Sequence, residues 1–229
     1  GARMCEMVER MGGKLIRVDG EWGRAIDPEL ARKAVQGRNP KVLAVVHAET
    51  STGVRQPLQD LAAIAHQAGA LFLVDMVTSL GGVDVGLDKN GIDIAYSGSQ
   101  KCLSCPPGLS PISFNAKAMK VIESRKKPVP NWYLDMNLVG KYWGSERTYH
   151  HTAPINMNYA FREALRLIAE EGLEDDRHQE AEETEEGRAK GTVSRVEAPG
   201  ILPHARYGGV PQEPFQAEEE GYAICRQDS

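Results

Sequence analysis

The chain has 229 residues, of which 41% are hydrophobic and 26% are charged, so it can bury a sizeable core. Its formal net charge of −5 and its scattered lysine and arginine residues argue against a nucleic-acid-binding surface. No apolar run approaches the roughly 20 residues that a membrane helix needs, and four cysteines are too few for a disulfide scaffold in a chain of this length. We therefore expect a cytoplasmic protein, not bound to nucleic acid or membrane, whose partners are small metabolites.

Short apolar runs alternate with amphipathic helical patterns, which predicts βαβ units and a mostly parallel sheet. The first residues, GARMCEMVERMGG, already have the apolar spacing of a helix, which is typical of a piece of a longer protein. Strands are predicted at residues 14–18, 41–47, 71–75, 92–97 and 110–114. Helices are predicted at residues 27–35, 57–70, 116–126 and 154–172, the first of them capped by Asp27.

The composition changes after Leu173. Residues 174–190 are acidic with almost no apolar positions, and residues 191–229 are rich in glycine and proline, with no strand or helix period. We therefore divide the chain into an α/β domain at residues 1–173 and a tail at residues 174–229 that is expected to be poorly ordered.

Polar or small residues follow three of the predicted strands. AETSTGV follows the strand at residues 41–47, Asp75 and MVTSLGG close the strand at residues 71–75, and GSQK follows IDIAYS. Open α/β sheets bind ligands at the carboxyl ends of their strands, so these clusters are expected on one rim. Alone, Asp75 could be a turn former and Lys101 a solvated loop charge.

Taken together, an acid on one strand end, a lysine on a neighbouring one and flanking hydroxyls are typical of a pyridoxal-phosphate site. In such a site the lysine forms a Schiff base with the cofactor, and the carboxylate keeps the ring nitrogen protonated. Hydroxyls and backbone N–H groups bind the phosphate.

The segments HAETSTGVRQPL, LFLVDMVTSLGG, GIDIAYSGSQKCLSCPPGLSPISF and TYHHTAPI resemble the alanine–glyoxylate and serine–pyruvate aminotransferases, which are class V aminotransferases. The resemblance extends over residues 1–173. It implies the large domain of the type I pyridoxal-phosphate fold, a three-layer α/β domain with a mostly parallel sheet, and a small domain that is incomplete or absent. It also implies pyridoxal 5'-phosphate as cofactor, small amino-acid and 2-oxo-acid substrates, and a homodimer.

The resemblance assigns roles to individual residues. It implies that Lys101 forms the Schiff base and that Asp75 holds the ring nitrogen, so these two are the expected catalytic residues. The other cofactor contacts that it implies are Ser51, Gln100, Tyr149 and Thr152. The last two are expected to reach the cofactor of the neighbouring subunit.

Parts of the family's machinery have no match in this sequence. The glycine-rich cofactor loop and the ring-stacking aromatic residue would precede residue 1, and no arginine after Glu174 matches the one that binds the substrate carboxylate. The expected reaction moves an amino group from alanine or serine to glyoxylate or pyruvate. The alternatives are a catalytically inactive fragment that binds the cofactor or dimerises, and a desulfurase- or kynureninase-like lyase, which YHHT and SGSQK disfavour.

Other motifs favour structural roles. Cys102 and Cys105 form C-x-x-C, but the second half of a zinc site is missing, so no metal or redox function is predicted. His150 and His151 lack an acidic or cysteine companion in register and are expected to be structural or adjacent to the cofactor. The segment WYLDMNLVGKYWG is interpreted as core or dimer-interface packing.

Overall fold

The structure is a computed structural model that describes residues 1–173 and the backbone of residues 221–226. Its helices are α1 (Ala2–Arg10), α2 (Pro28–Val35), α3 (Gln59–Gln67), α4 (Ala116–Glu123), α5 (Met136–Trp143) and α6 (Ile155–Glu171). Its strands are β1 (Lys14–Asp19), β2 (Val42–Val46), β3 (Leu71–Asp75), β4 (Ile94–Tyr96), β5 (Ile112–Phe114) and β6 (Gly221–Arg226). A short 3-10 helix spans Trp132–Leu134.

The strands form one sheet in the order β1-β6-β2-β3-β4-β5. Its centre is parallel: β2 pairs with β3 and β3 pairs with β4, which places Val46, Asp75 and Tyr96 side by side. The edge strand β5 runs antiparallel to β4. The predicted α/β class with a mostly parallel sheet is therefore confirmed.

The strand β6 lies between β1 and β2 and runs antiparallel to both. The expectation that residues 191–229 contain no strand is therefore wrong for residues 221–226. A strand between two others is stabilised by backbone pairing on both sides, and its own residue pattern does not report those partners. The remainder of the predicted tail, residues 174–220 and 227–229, lies outside the described residues, so its expected poor order stays a prediction.

Helices cover both faces of the sheet, which gives three layers. On one face α2 and α3 pack over a core that includes the fully buried Val45, Phe72 and Val74. On the other face α1 packs through Cys5 against Ala44. A strand that is buried on both faces has a continuous run of apolar residues. The segments VLAVV and LFLV have this pattern, so the sequence alone predicts them as strands.

The aromatic-rich segment WYLDMNLVGKYWG, which the sequence predicts to pack in the core or in a dimer interface, forms a 3-10 turn followed by α5. Asn131 accepts hydrogen bonds from the first backbone N–H groups of the turn, and Asp135 caps α5 by accepting one from the N–H of Asn137. Trp132 and Trp143 are 60% and 62% exposed, so the core interpretation is wrong for these two residues in this chain. The capping residues fix the backbone, and the large side chains are left on the surface.

Asp93, just before β4, joins several elements through its buried carboxylate, which is 2% exposed. Its Oδ2 accepts hydrogen bonds from the N–H of Phe72 at 2.7 Å and from Lys117 Nζ at 3.2 Å, and it lies 3.0 Å from His66 Nε2. Its Oδ1 accepts one from Asn115 Nδ2 at 2.7 Å. Burial alone would raise the pKa of this carboxyl, but the donors around it lower the pKa below its ordinary value. The group is therefore an anion that ties β3, α3 and α4 to the start of β4.

We expect Asp93→Ala to lower the free energy of unfolding by about 2–4 kcal/mol, because it leaves buried donors without an acceptor. The folded pKa of Asp93 is lowered, so its contribution is complete above the unfolded pKa near 4 and is lost as the pH falls through the folded pKa. Urea denaturation at neutral and acidic pH measures both effects. Asp88→Ala is the matched control, since Asp88 is exposed and its side chain makes no hydrogen bond within the described residues. An unfolding midpoint equal to that of the control would contradict this role.

Candidate active site

Three loops follow β2, β3 and β4 and meet at the carboxyl edge of the sheet. The hydroxyls of Thr50 and Thr78 are 2.6 Å apart and join the first loop to the second. Cys102 Sγ donates to the carbonyl of Thr78 at 2.9 Å, and Ser97 Oγ donates to the carbonyl of Met76 at 3.2 Å, so the third loop is joined to the second. The polar clusters that the sequence placed on one rim are therefore adjacent.

Asp75 is the last residue of β3 and is half-buried. Its Oδ1 accepts a hydrogen bond from the N–H of Val77 at 2.9 Å, and its Oδ2 accepts one from the hydroxyl of Tyr96 at 2.6 Å. A carboxylate can accept about four hydrogen bonds, so each oxygen keeps capacity for a further donor. Burial and the neighbouring Asp75 raise the pKa of Tyr96, which keeps this phenol protonated as the donor.

Lys101 lies on the loop after β4 and is exposed. In the part of the chain that the structure describes, no hydrogen bond or ion pair engages its Nζ. The loop itself is fixed by the fully buried Ser99, whose Oγ donates to the carbonyl of Pro106 at 2.6 Å and accepts from the N–H of Leu109 at 3.3 Å. The arrangement presents an unengaged primary amine from a braced backbone.

The two further predicted contacts on these loops are both exposed. Ser51 turns back on its own loop, where its N–H and its Oγ both donate to Glu49 Oε1, at 3.1 and 2.9 Å. The hydroxyl that faces the loop of Asp75 belongs to the neighbour of Ser51, Thr50, which carries no assignment from the sequence motifs. Gln100 is exposed beside Gly98, where a Cβ would stand 2.7 Å from Gln100 Oε1, so the glycine leaves room for that amide.

Tyr149 and Thr152 follow α5 and lie close to one another, with 3.0 Å between their hydroxyl oxygens. Tyr149 is 71% exposed, and within the described residues no hydrogen bond links the pair to Asp75 or Lys101. The intervening His150 is buried and stacks on Trp132 with 4.1 Å between the ring centroids. The structure therefore brings Tyr149 and Thr152 to each other, without a hydrogen bond to Asp75 or Lys101 among the described residues.

The C-x-x-C cysteines, Cys102 and Cys105, are free thiols. Burial raises the pKa of both, which disfavours the thiolates that metal binding and redox chemistry use. The described residues contain no group of three or more His, Cys, Asp and Glu side chains arranged to hold a metal ion. Nor does any helix among them have the length and apolar character to cross a membrane.

Comparison with known proteins places these features in a family. The model of the class-V aminotransferases matches residues 3–197. The alanine–glyoxylate aminotransferase of Rattus norvegicus is 42% identical over 186 residues, which are 79% of this chain and 45% of that protein. The (S)-ureidoglycine–glyoxylate transaminase of Bacillus subtilis is 38% identical over 192 residues, 76% of this chain and 46% of that one. The chain thus spans about half the length of the curated relatives it matches.

A solved structure agrees with the sequence match. The alanine–glyoxylate aminotransferase from Nostoc sp. is 52% identical and superposes with a TM-score of 0.74, covering 78% of this chain and 48% of that one. The expected type I pyridoxal-phosphate fold is therefore confirmed. The chain belongs to the class-V aminotransferase family, whose members with this fold depend on pyridoxal phosphate.

Proposed function

We propose that this chain carries the cofactor-binding part of an aminotransferase that moves an amino group from alanine or serine to glyoxylate or pyruvate. The observation that carries the proposal is the unengaged amine of Lys101 on the same rim as the Asp75 carboxylate, whose two oxygens are both held by donors. Two relatives named as glyoxylate transaminases support glyoxylate as the amino acceptor.

The donor set of the rim fits pyridoxal phosphate. The aldehyde of the cofactor requires an unengaged amine, which Lys101 offers, and a protonated ring nitrogen requires an anion, which Asp75 offers. When bound, the cofactor withdraws electrons from the Cα of the amino acid. Asp75 would hold the proton on the ring nitrogen, and Lys101 Nζ, once deprotonated, would take the proton from the substrate Cα. Ser51 and Gln100 stay proposed contacts to the cofactor.

The rival proposal is a catalytically inactive fragment that binds the cofactor or dimerises. Its support is that the chain spans about half of its relatives and that no arginine has been matched to the substrate carboxylate. A bidentate arginine–carboxylate pair orients an amino-acid substrate, so its loss would lower turnover more than cofactor binding.

A cytoplasmic location also stays a prediction from composition.

We expect the purified chain to bind pyridoxal phosphate, with an absorbance band that borohydride removes and a label that peptide mass spectrometry finds on Lys101. Lys101→Ala should abolish the label and weaken cofactor binding by at least about 10-fold, because the covalent attachment is lost. Lys89→Ala is the matched control, since Lys89 is exposed and its Nζ has no partner within the described residues. A label spread over surface lysines, or equal binding by Lys101→Ala, would exclude the proposed site.

Alanine separates the active enzyme from the inactive fragment. Addition of alanine to the cofactor-loaded chain should release pyruvate in an amount equal to the bound cofactor if the chain is an active aminotransferase. Specific labelling of Lys101 without release of pyruvate would instead establish the binding-only fragment. Replacement of alanine by serine in the same assay tests the second proposed donor.

A group of exposed aromatic side chains supports a homodimer. We call this group the aromatic surface and define it by four rings that are 55–71% exposed, those of Trp132, Tyr133, Trp143 and Tyr149. They are connected through ring contacts with His150, His151 and Tyr142. Monomers rarely expose connected aromatic surface of this kind. We infer that a second copy of the chain covers it, which would carry Tyr149 and Thr152 toward the cofactor of the partner.

Trp143→Glu should convert a dimer to a monomer, because it places a charge within the proposed aromatic contact. From the usual cost of losing an aromatic hot spot, the dimer Kd should rise by at least about 30-fold. Light scattering coupled to size-exclusion chromatography measures the mass. Trp22→Glu is the control, since Trp22 is also exposed, at 46%, but lies outside the aromatic surface. A monomeric wild type, or a dimer that survives Trp143→Glu, would refute this interface.

A further inference from the structure

We propose that Tyr96 is a positioning residue of the site: its hydroxyl holds the Asp75 carboxylate in one orientation. The inference rests on the proposed function, in which Asp75 holds the proton of a ring nitrogen. Neither the sequence motifs nor the resemblance assigned a role to Tyr96.

The sheet places Tyr96 beside Asp75. The two residues are direct neighbours across the parallel pair β3 and β4, and side chains opposite one another in adjacent strands lie on the same face. The carbonyl of Tyr96 also accepts a hydrogen bond from the N–H of Met76 at 2.9 Å, so pairing continues one residue past Asp75. The phenol therefore reaches the carboxylate from a backbone that is fixed on both sides.

Two donors hold the carboxylate from two directions. Val77 N–H donates to Oδ1, and the Tyr96 hydroxyl donates to Oδ2 at 2.6 Å. A carboxylate held through one oxygen can rotate about its Cβ–Cγ bond, whereas donors on both oxygens fix its plane. A fixed plane determines where the remaining lone pairs point, and this is the property that a partner of a ring nitrogen needs.

The charges around the pair keep the proton on the phenol. Burial, the hydrogen bond to Asp75 and the negative charge of Asp75 all raise the pKa of Tyr96, and the positive charge of Arg3 on α1 opposes them. The net direction of the pKa is upward, so Tyr96 is a neutral phenol at neutral pH and donates a hydrogen bond to Asp75 Oδ2.

The first test is a double-mutant cycle on the affinity of the full chain for pyridoxal phosphate. Tyr96→Phe keeps the ring and should weaken binding roughly 10-fold when Asp75 is present, the usual scale for a hydrogen bond to a charged group. In the Asp75→Asn background the same change should have much less effect, because no charged partner remains. Tyr159→Phe is the control, since Tyr159 lies on α6, is exposed and has no hydrogen bond from its hydroxyl within the described residues. Equal losses in both backgrounds would reduce Tyr96 to a packing role and overturn the inference.

The second test needs no cofactor. Tyrosine labelled with ¹³C at Cζ reports the hydrogen bond of each phenol through its NMR chemical shift at neutral pH, and Tyr96→Phe assigns the signal. Asp75→Asn should move the Tyr96 signal toward the shift of an exposed tyrosine, because it removes the charged acceptor of the phenol. An unchanged Tyr96 signal would overturn the inference even if the chain binds the cofactor. Failure of the wild type to bind pyridoxal phosphate would instead overturn the proposed function, and with it the role of the pair toward a cofactor.

Discussion

The parallel register of β2, β3 and β4 is the constraint on which the site depends, because it aligns Val46, Asp75 and Tyr96 on the face that α1 covers. A slip of one residue in the pairing of β3 with β4 would turn the Tyr96 side chain to the opposite face. The buried core opposes that slip, since Ala95 of β4, which is fully buried in the core under α2 and α3, would have to leave it and Tyr96 would have to enter it. The hydrophobic core and the geometry of the site are therefore set by the same pairing.

Two aspartates at opposite ends of neighbouring strands differ in how much of their acceptor capacity is used within the fold. Asp93 is surrounded by donors from Phe72, Asn115, Lys117 and His66, so its acceptor capacity is used within the fold. Asp75 has two donors and lies at the carboxyl edge of the sheet, where ligands of open α/β sheets bind. Both anions need support from neighbours, but only the second keeps capacity for another molecule.

The sequence was sufficient where local pattern decides the structure. The buried strand that ends at Asp75 was predicted with its observed bounds, and Asp27 was predicted as the cap of α2, where it accepts a hydrogen bond from the N–H of Glu29. Non-local contacts determine the features that the sequence pattern does not predict. Thr50 and Ser51 are adjacent hydroxyl residues, and only the loop conformation shows which of them faces Thr78. The strand β6 and the contact of Tyr96 with Asp75 depend on partners far away in sequence, so local periodicity cannot reveal them.

Lys117 and Lys101 differ in the hydrogen bonds that their side-chain amines make. Lys117 Nζ donates to the carbonyl of Ala70 at 2.9 Å and to Asp93, so its charge is used to hold the fold together. Lys101 makes no such contact within the described residues, although Ser99 braces the loop that carries it. A lysine that serves covalent chemistry has to be fixed at its backbone and unengaged at its amine, because every hydrogen bond to Nζ would have to break before reaction. That combination is what the proposed role of Lys101 requires.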